Sequence, residues 1–216
     1  MIAQAEDSRT DRRRARTRAA LLQAGQALFA AQSVDAVSID EIVLAADVAK
    51  GSFYNHFPDK EALAREIAVQ VRAEVEAQVD LANRTVTDPA LRMARAQAVV
   101  IRFALRESEP ARAMTRLFAG ATLPDAPMNR GVRADIEAGL KAGCFHGLTV
   151  EAGVLLAMGA ATAAVSGVLE PAGRLAADRL AGELIFGLLR GLGVADPVAR
   201  DTSAAAVSDI FAEFQS

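Results

Sequence analysis

Hydrophobic positions recur along the chain with the spacing of amphipathic helices. Leu21, Leu22, Gly25, Leu28 and Phe29 lie at i, i+1, i+4, i+7 and i+8, which predicts one face of a first helix over about residues 11–31. No stretch of any length alternates between apolar and polar residues as a β-strand would. The pattern therefore predicts an all-α fold.

Two short helices and a longer one are expected next. Ser38 and Glu41 form an S-x-x-E capping box, which predicts the start of a second helix. A third helix should cover residues 49–56, because Pro58 prevents its simple continuation. Asp59 can cap a fourth helix, which the apolar spacing carries to about Leu81.

The remaining sequence predicts six more helices. Asp88 and Pro89 look like an N-cap and a first helical position, and Pro124 and Pro127 mark a loop. The expected helices cover about residues 89–106, 110–120, the segment from that loop to 142, 149–169, 174–192 and 197–214. We expect a small N-terminal unit (residues 1–65) and a larger helical unit (residues 66–216).

The segment Ser38–Phe57 has the size of a helix-turn-helix. Its turn falls at Ala45–Val48, where Asp47 tolerates a left-handed backbone better than most residues other than glycine. With the apolar residues packed inward, six positions are left for the outward face or its edges: Lys50, Gly51, Ser52, Tyr54, Asn55 and His56. Their cationic and hydrogen-bonding groups suit DNA phosphates and base edges, and Lys60 should reach the same DNA backbone.

The charge distribution supports a local DNA contact. The net charge is −3, yet six arginines face one aspartate between Ser8 and Arg18. Such an arm, with Arg12, Arg13 and Arg14 at its centre, could hold DNA phosphates or could be a solvated tail.

The run from Val37 to Leu63 resembles the DNA-binding signature of TetR-type regulators. The stretch Lys50-Gly-Ser-Phe-Tyr-Asn-His-Phe-Pro-Asp-Lys-Glu-Ala-Leu63 carries most of the likeness. The resemblance implies a recognition helix at 49–56 in the major groove, a two-fold dimer and a ligand-responsive C-terminal domain. It adds Ser38 to the DNA-contact candidates. The sequence departs from the family at Ala49, where a Ser or Thr cap is common, and at Asp47, which replaces the usual turn glycine.

The C-terminal unit contains soft, bulky side chains that are typical of a core or of an apolar ligand pocket. Arg102, Arg112 and Arg116 are further possible polar anchors. The expected ligand-binding residues are Met93, Phe103, Arg106, Met114, Phe118, Phe145, Met158 and Thr162.

The helices at 149–169 and 174–192 should form a four-helix interface with a second copy of the chain. Small residues in the first of them leave room for close helix approach. The expected interface residues are Val154, Met158, Gly159, Ala163, Val165, Leu184 and Leu188.

Other function classes find little support in the sequence. Residues 152–169 carry no charge, and we expect them to be a buried helix rather than a membrane span. Cys144, the single cysteine, lies two residues from His146, but neither a zinc site nor a catalytic pair is expected.

The sequence predicts a cytoplasmic, ligand-responsive repressor that binds a palindromic operator in double-stranded DNA as a homodimer. No enzymatic activity, cofactor, metal or membrane partner is expected, and the ligand should be small and apolar or amphipathic. The alternative is a DNA-bound architectural or interaction protein without an inducer.

Overall fold

The computed structural model of the chain describes residues 2–117 and 129–212, with side chains described from Asp11 onward except at position 173. The predicted all-α fold is confirmed, since the described residues contain helices and no strand. The helices are α1 (Ile2–Ala31), α2 (Ile39–Ala45), α3 (Lys50–Tyr54), α4 (Lys60–Ala82), α5 (Pro89–Arg106), α6 (Ser108–Leu117), α7 (Arg130–Ala142), α8 (Val150–Leu169), α9 (Pro171–Leu175), α10 (Ala177–Gly191) and α11 (Asp196–Phe211).

Side-chain caps begin several helices where the sequence predicted them. Asp59 accepts a hydrogen bond from the Ala62 amide at 2.6 Å, and Asp88 accepts one from the Leu91 amide at 2.9 Å. Thr149 does the same for the Ala152 amide at 3.2 Å. Each cap satisfies an amide that has no partner within its own helix, which fixes where the helix starts.

Two predicted helices differ clearly from the structure. α1 begins at Ile2 rather than near Asp11. The helix expected over 174–192 is divided, because Pro171–Leu175 forms the separate short helix α9 before α10 begins at Ala177. The predicted loop prolines Pro124 and Pro127, Gly120 and the predicted last helical residue Phe214 lie outside the described residues.

One hydrophobic core runs through the chain, and α5 is at its centre. α5 packs against α4, α6, α7, α8, α10 and α11. The N-terminal helices form their own part of the core around Phe29, Ile42 and Phe53, each fully buried. α4 contacts both α1 and α5, so the expected division between residues 65 and 66 falls inside a continuous helix.

Val150–Leu169 is the one helix among the described residues that is long and apolar enough to cross a membrane, and 44% of its apolar window is buried inside the chain. Val154, Val165, Val168 and Leu169 all lie in the chain's own core. Partial burial against neighbouring helices accounts for this composition, because a helix covered on more than one side is apolar around most of its circumference.

Candidate functional site

The start of α2 is held by the predicted capping box. The Glu41 amide donates to Ser38 Oγ at 3.2 Å, and the Ser38 amide donates to Glu41 Oε2 at 2.8 Å. The Ser38 hydroxyl also lies 2.7 Å from that carboxylate oxygen. Hydrogen bonds from the Ser38 side chain and amide lower the pKa of Glu41. The side chain of Ser38 therefore already has a local partner at the position where a DNA contact was predicted.

A tight turn joins α2 to α3. Asp47 has a φ of +52°, and it is the one described residue other than glycine in the left-handed region. The Val48 amide closes the turn by donating to the Val43 carbonyl at 3.0 Å. Ala49 begins α3 without a side-chain cap, as its chemistry predicts.

The outer face of α3 presents the predicted group of polar side chains. Lys50, Tyr54 and Asn55 are exposed, and Ser52 and His56 are half-buried. Phe53 is fully buried between them and holds the helix on the core. A Cβ atom at Gly51 would meet nothing within 4 Å, so the surface there is open to a close approach from outside.

Both lysines of this region have partners within the chain. Lys50 Nζ lies 2.8 Å from an oxygen of Asp40, and the hydrogen bond and charge of that carboxylate raise the pKa of Lys50. Lys60 Nζ donates to the backbone carbonyls of Asp35 and Val37, at 3.1 and 2.8 Å. Lys60 thus ties the loop between α1 and α2 to α4, a structural role that the sequence did not indicate.

A basic notch lies where α1 passes the end of α3. It is lined by Asp11, Arg14, Ala15, Arg18, Asn55 and His56. Desolvation, followed by the charges of Arg14 and Arg18, lowers the pKa of His56. Arg18 is fixed by Glu66 at 2.9 Å and stacks over the ring of Phe57 at 5.3 Å. Arg12 and Arg13, which directly precede Arg14 in α1, are exposed.

The C-terminal unit contains a cavity of about 440 Å³. The structure brings the predicted residues Met93, Met114, Met158 and Thr162 to its wall. The prediction was wrong for Phe103 and Phe145, which lie buried in the core outside the cavity, because aromatic rings of this size fill the spaces between packed helices. Arg106 is exposed away from the cavity wall.

Of the other expected residues, Phe118 lies outside the described residues. Arg102 and Arg112 donate instead to the backbone carbonyls of Ile210 and Leu169, and Arg116 is exposed outside the wall.

Sequence reasoning missed the charged part of the cavity wall. The missed charged and amide residues are Arg72, Glu76, Asp80, Arg92, Gln97, Arg130 and Asp135. The missed residues of α4 lie next to Val75 and Val79 along the cavity wall. These two valines belong to the apolar spacing that predicted the helix. Arg72 pairs with Glu76 at 2.8 Å, and Arg92 of α5 pairs with Asp135 of α7 at 2.7 Å. The pairing across helices could not be predicted from spacing along the chain.

The predicted interface residues divide into two groups. Val154, Val165 and Leu188 are buried in the chain's own core, so they cannot face a second copy, and Met158 lies at the cavity. Gly159 and Ala163 are exposed, and Leu184 is half-buried. The neighbouring side chains Leu155 and Leu156 are 44% and 39% exposed.

Cys144 and His146 lie in the loop between α7 and α8. Desolvation raises the pKa of Cys144, whose thiol is directed at the Gly139 carbonyl at 3.4 Å. A raised pKa keeps the sulfur protonated and therefore weakly nucleophilic. Within the described residues there is no group of three or more potential metal ligands.

A capped helix, a left-handed turn and a short helix with an exposed polar face define a helix-turn-helix protein of the DNA-binding class. Residues 21–67 match the family of bacterial regulatory proteins described as tetR. The chain therefore carries a tetR-type DNA-binding domain at residues 21–67, which confirms the expected resemblance. None of the curated protein sequences matches the chain.

Several solved structures share the fold over most of their length. RolR in complex with resorcinol is 24% identical, with a TM-score of 0.62 and coverage of 90% of this chain and 96% of RolR. A γ-butyrolactone receptor (an ArpA-like protein) is 21% identical, with a TM-score of 0.64 and coverage of 93% and 98%. TylP, a tetR regulator from Streptomyces fradiae, is also 21% identical, with a TM-score of 0.64 and coverage of 93% and 98%.

Proposed function

We propose that the chain is a ligand-responsive repressor that binds a palindromic operator as a homodimer in the cytoplasm. Occupation of the cavity by a small molecule releases the DNA. The observation that carries this proposal is that α4 runs from the N-terminal unit to the wall of the cavity. Leu63 and Ile67, near its start, pack against Gly25 of α1, while Val75 and Val79 line the cavity.

The DNA contact is made by α3 in the major groove. Lys50, Ser52, Tyr54 and Asn55 are the side chains that reach base edges or phosphates, with Gly51 allowing the close approach. When DNA binds, the ammonium group of Lys50 leaves the carboxylate of Asp40 and contacts the DNA. Ser38 and Lys60 contribute mainly by holding α2 and its preceding loop in place, because their polar groups already have partners there.

The arm and the notch add contacts to the phosphate backbone. Arg12, Arg13 and Arg14 supply cations whose binding releases counterions from DNA, so this part of the affinity falls with salt. The notch places His56 and Arg14 together at the end of α3. A phosphate that binds there joins the arm to the recognition helix.

The ligand acts through α4 and α6, because both helices touch the N-terminal unit and the cavity. α6 packs against α1 and α4, and its residues Met114 and Thr115 line the cavity. A ligand that binds better when these helices are displaced favours a spacing of the recognition helices that no longer matches the DNA. Its effect is limited by its differential affinity for the two states.

The proposed dimer pairs α8 and α10 with their copies. Gly159 and Ala163 form an exposed strip of small residues beside Leu155 and Leu156. Small residues allow backbones to approach closely, and the exposed leucines gain burial when a second copy covers them. A two-fold dimer presents two recognition helices at a spacing of about one DNA turn.

The alternative function, an architectural protein without an inducer, would be favoured by a closed C-terminal interior filled with leucine. The described cavity wall instead contains methionine, valine and polar side chains and no leucine. RolR is a relative in fold with the bound ligand resorcinol, and another is a γ-butyrolactone receptor. These observations support a small organic ligand.

The DNA contact is tested by opposite changes at one ion pair. Lys50→Ala should weaken operator binding by about 1–3 kcal/mol if the ammonium reads a base edge. Asp40→Asn should strengthen binding, because it removes a negative charge from the DNA-facing surface and frees the ammonium of Lys50. Affinities are measured by fluorescence anisotropy at several salt concentrations.

The exposed residue Glu74 of α4 provides the matched control for the charge change, as Glu74→Gln. It should leave binding close to that of the parent protein. Unchanged affinity in both Lys50→Ala and Tyr54→Ala would overturn the assignment of α3 as the recognition helix.

A further inference from the structure

We infer that the cavity of the C-terminal unit selects an uncharged phenol, an aromatic ring whose hydroxyl group donates a hydrogen bond to Gln97. This inference deepens the proposed function and rests on it, because it names the chemical class of the ligand at the same cavity.

The uncharged polar side chains of the wall offer acceptors to a ligand. Gln97 is 6% exposed, and its Nε2 donates to the Ala157 carbonyl at 3.1 Å. Its Oε1 accepts no hydrogen bond from any described residue. The hydroxyls of Thr115 and Thr162 each donate to a carbonyl of their own helix at 2.9 Å, which leaves their lone pairs for a ligand.

The charged side chains of the wall balance one another. Among the described residues, three arginines and three carboxylates line the cavity and give this part of the wall no net charge: Arg72, Arg92, Arg130, Glu76, Asp80 and Asp135. Arg72 and Arg92 are held by Glu76 and Asp135. A ligand carboxylate would have to compete with these carboxylates for its cation, so the wall favours an uncharged molecule.

The apolar part of the wall favours an aromatic ring. Three of the five methionines of the chain, Met93, Met114 and Met158, line the cavity, and the described wall contains no aromatic side chain. Thioether sulfur makes favourable contacts with aromatic rings. A ligand with an aromatic ring would therefore supply a contact for these methionines that the described wall does not provide.

The oxygen of Gln97 separates a phenol from a molecule that only accepts hydrogen bonds. A phenol satisfies Oε1 when it displaces water from the cavity. An ether or a lactone without a hydroxyl group buries the same oxygen without a donor, and a buried acceptor left without a partner costs more than a formed hydrogen bond contributes. Donor capacity, rather than size or hydrophobicity, is therefore the selected property.

Calorimetric titration of the full-length protein with three matched compounds tests the inference. The compounds are hexylresorcinol, its dimethyl ether, and the γ-butyrolactone that carries the same hexyl chain. Hexylresorcinol should bind about tenfold or more tightly than the other two, the effect of one hydrogen bond to a buried acceptor. Release of operator DNA is measured in parallel with each compound.

Variants of the wall identify the group that recognises the hydroxyl. Gln97→Met keeps the length of the side chain and should lower the affinity for hexylresorcinol by about tenfold, with little effect on the ether. Thr162→Val, which is close to isosteric, should lower it by a smaller factor. Ser203→Ala is the control, because that hydroxyl also donates to a carbonyl of its own helix, at 2.9 Å, but lies in α11 away from the cavity.

The outcomes separate this inference from the proposed function. Equal or tighter binding of the ether or the lactone, or a phenol preference that survives Gln97→Met, would overturn the inference, and ligand-induced release of DNA would still support the repressor. Hexylresorcinol binding that is lost in Gln97→Met would support the inference. If hexylresorcinol nevertheless failed to release operator DNA from the parent protein, the proposed repressor function would be contradicted. Failure of all three compounds to bind at millimolar concentration would overturn the inference.

Discussion

Individual side chains at the DNA-facing surface serve the fold as well as the proposed contact. The Ser38 hydroxyl is held by Glu41, and Lys60 holds the loop before α2. Lys50 is paired with Asp40 but remains half-exposed, so DNA can replace its partner. Residue types and spacing were sufficient to nominate these positions. They could not distinguish free groups from engaged ones, because the partners depend on how α1, α2 and α4 pack.

His56 should make operator binding depend on pH. Desolvation and the charges of Arg14 and Arg18 lower its pKa below the usual 6.5, so the ring is neutral in the free protein at neutral pH. A phosphate in the notch favours the charged ring, so binding takes up a proton and affinity rises as the pH falls toward about 5.5, by at most about tenfold per pH unit. Anisotropy titrations across this range measure the effect.

Variants of the two histidines isolate this contribution. His56→Gln should remove the histidine-dependent part of the pH profile, whereas His146→Gln should keep it, because His146 lies in the loop before α8. The lowered pKa means that the unfolded chain binds more protons than the folded one. Stability therefore falls as the pH drops below about 6.5, and the folded fraction must be monitored. Identical profiles for His56→Gln and the parent protein would exclude a phosphate beside this ring.

At the scale of the helices, local signals were reliable and tertiary ones were not. Capping residues and a proline located the starts of α2, α4 and α5 because they act within one turn of the chain. The break between α9 and α10 was missed, because neither glycine nor proline separates Leu175 from Ala177. The burial of Val154 and Val165 was misjudged because an almost wholly apolar helix does not indicate which side faces its own chain.

Gly139 of α7 should not tolerate a side chain. A Cβ atom there would lie 2.0 Å from Cδ2 of Phe145, whose ring is buried, so Gly139→Ala forces the ring or the helix to shift. Overpacking of this kind costs about 1–3 kcal/mol of unfolding free energy. Denaturant unfolding at a fixed protein concentration measures the loss, since oligomerisation would make stability depend on concentration.

Gly131 of the same helix provides the comparison. A Cβ atom there would meet nothing within 4 Å, so Gly131→Ala should be neutral or should stabilise the protein by up to about 1 kcal/mol through helix propensity. If Gly139→Ala proved as stable as Gly131→Ala, the packing of α7 on Phe145 would be wrong.

At the scale of the whole molecule, the N-terminal unit was the more predictable part. Its function is carried by one continuous segment, residues 38–63, whose pattern can be read along the chain. The cavity assembles side chains from α4, α5, α6, α7 and α8, which are distant in sequence. The sequence therefore indicated methionines suited to a pocket but could not show which charged residues join them.

The proposed assembly predicts the effect of charge on the exposed strip of α8. Ala163→Glu and Gly159→Glu should give monomers, because each buries a carboxylate without a partner at the proposed interface. Operator affinity should fall by about a hundredfold or more, since two linked half-site contacts become separate ones. Sedimentation velocity and anisotropy measure the two effects, and circular dichroism checks that the variants remain helical.

Ala73→Glu places the same charge on the exposed side of α4 and should leave both assembly and binding unchanged. A parent protein that sediments as a monomer at micromolar concentration would rule out the proposed interface.

In the proposed function, two copies of α3 read a two-fold symmetric DNA site. This symmetry can be examined by selecting duplexes from a random DNA pool with the full-length protein and determining the mass of the complex formed with the enriched sequence. We expect an inverted repeat with half-site centres about one helical turn apart and subunits bound in pairs. An enriched sequence without two-fold symmetry that binds a single subunit, or no enrichment at all, would contradict it.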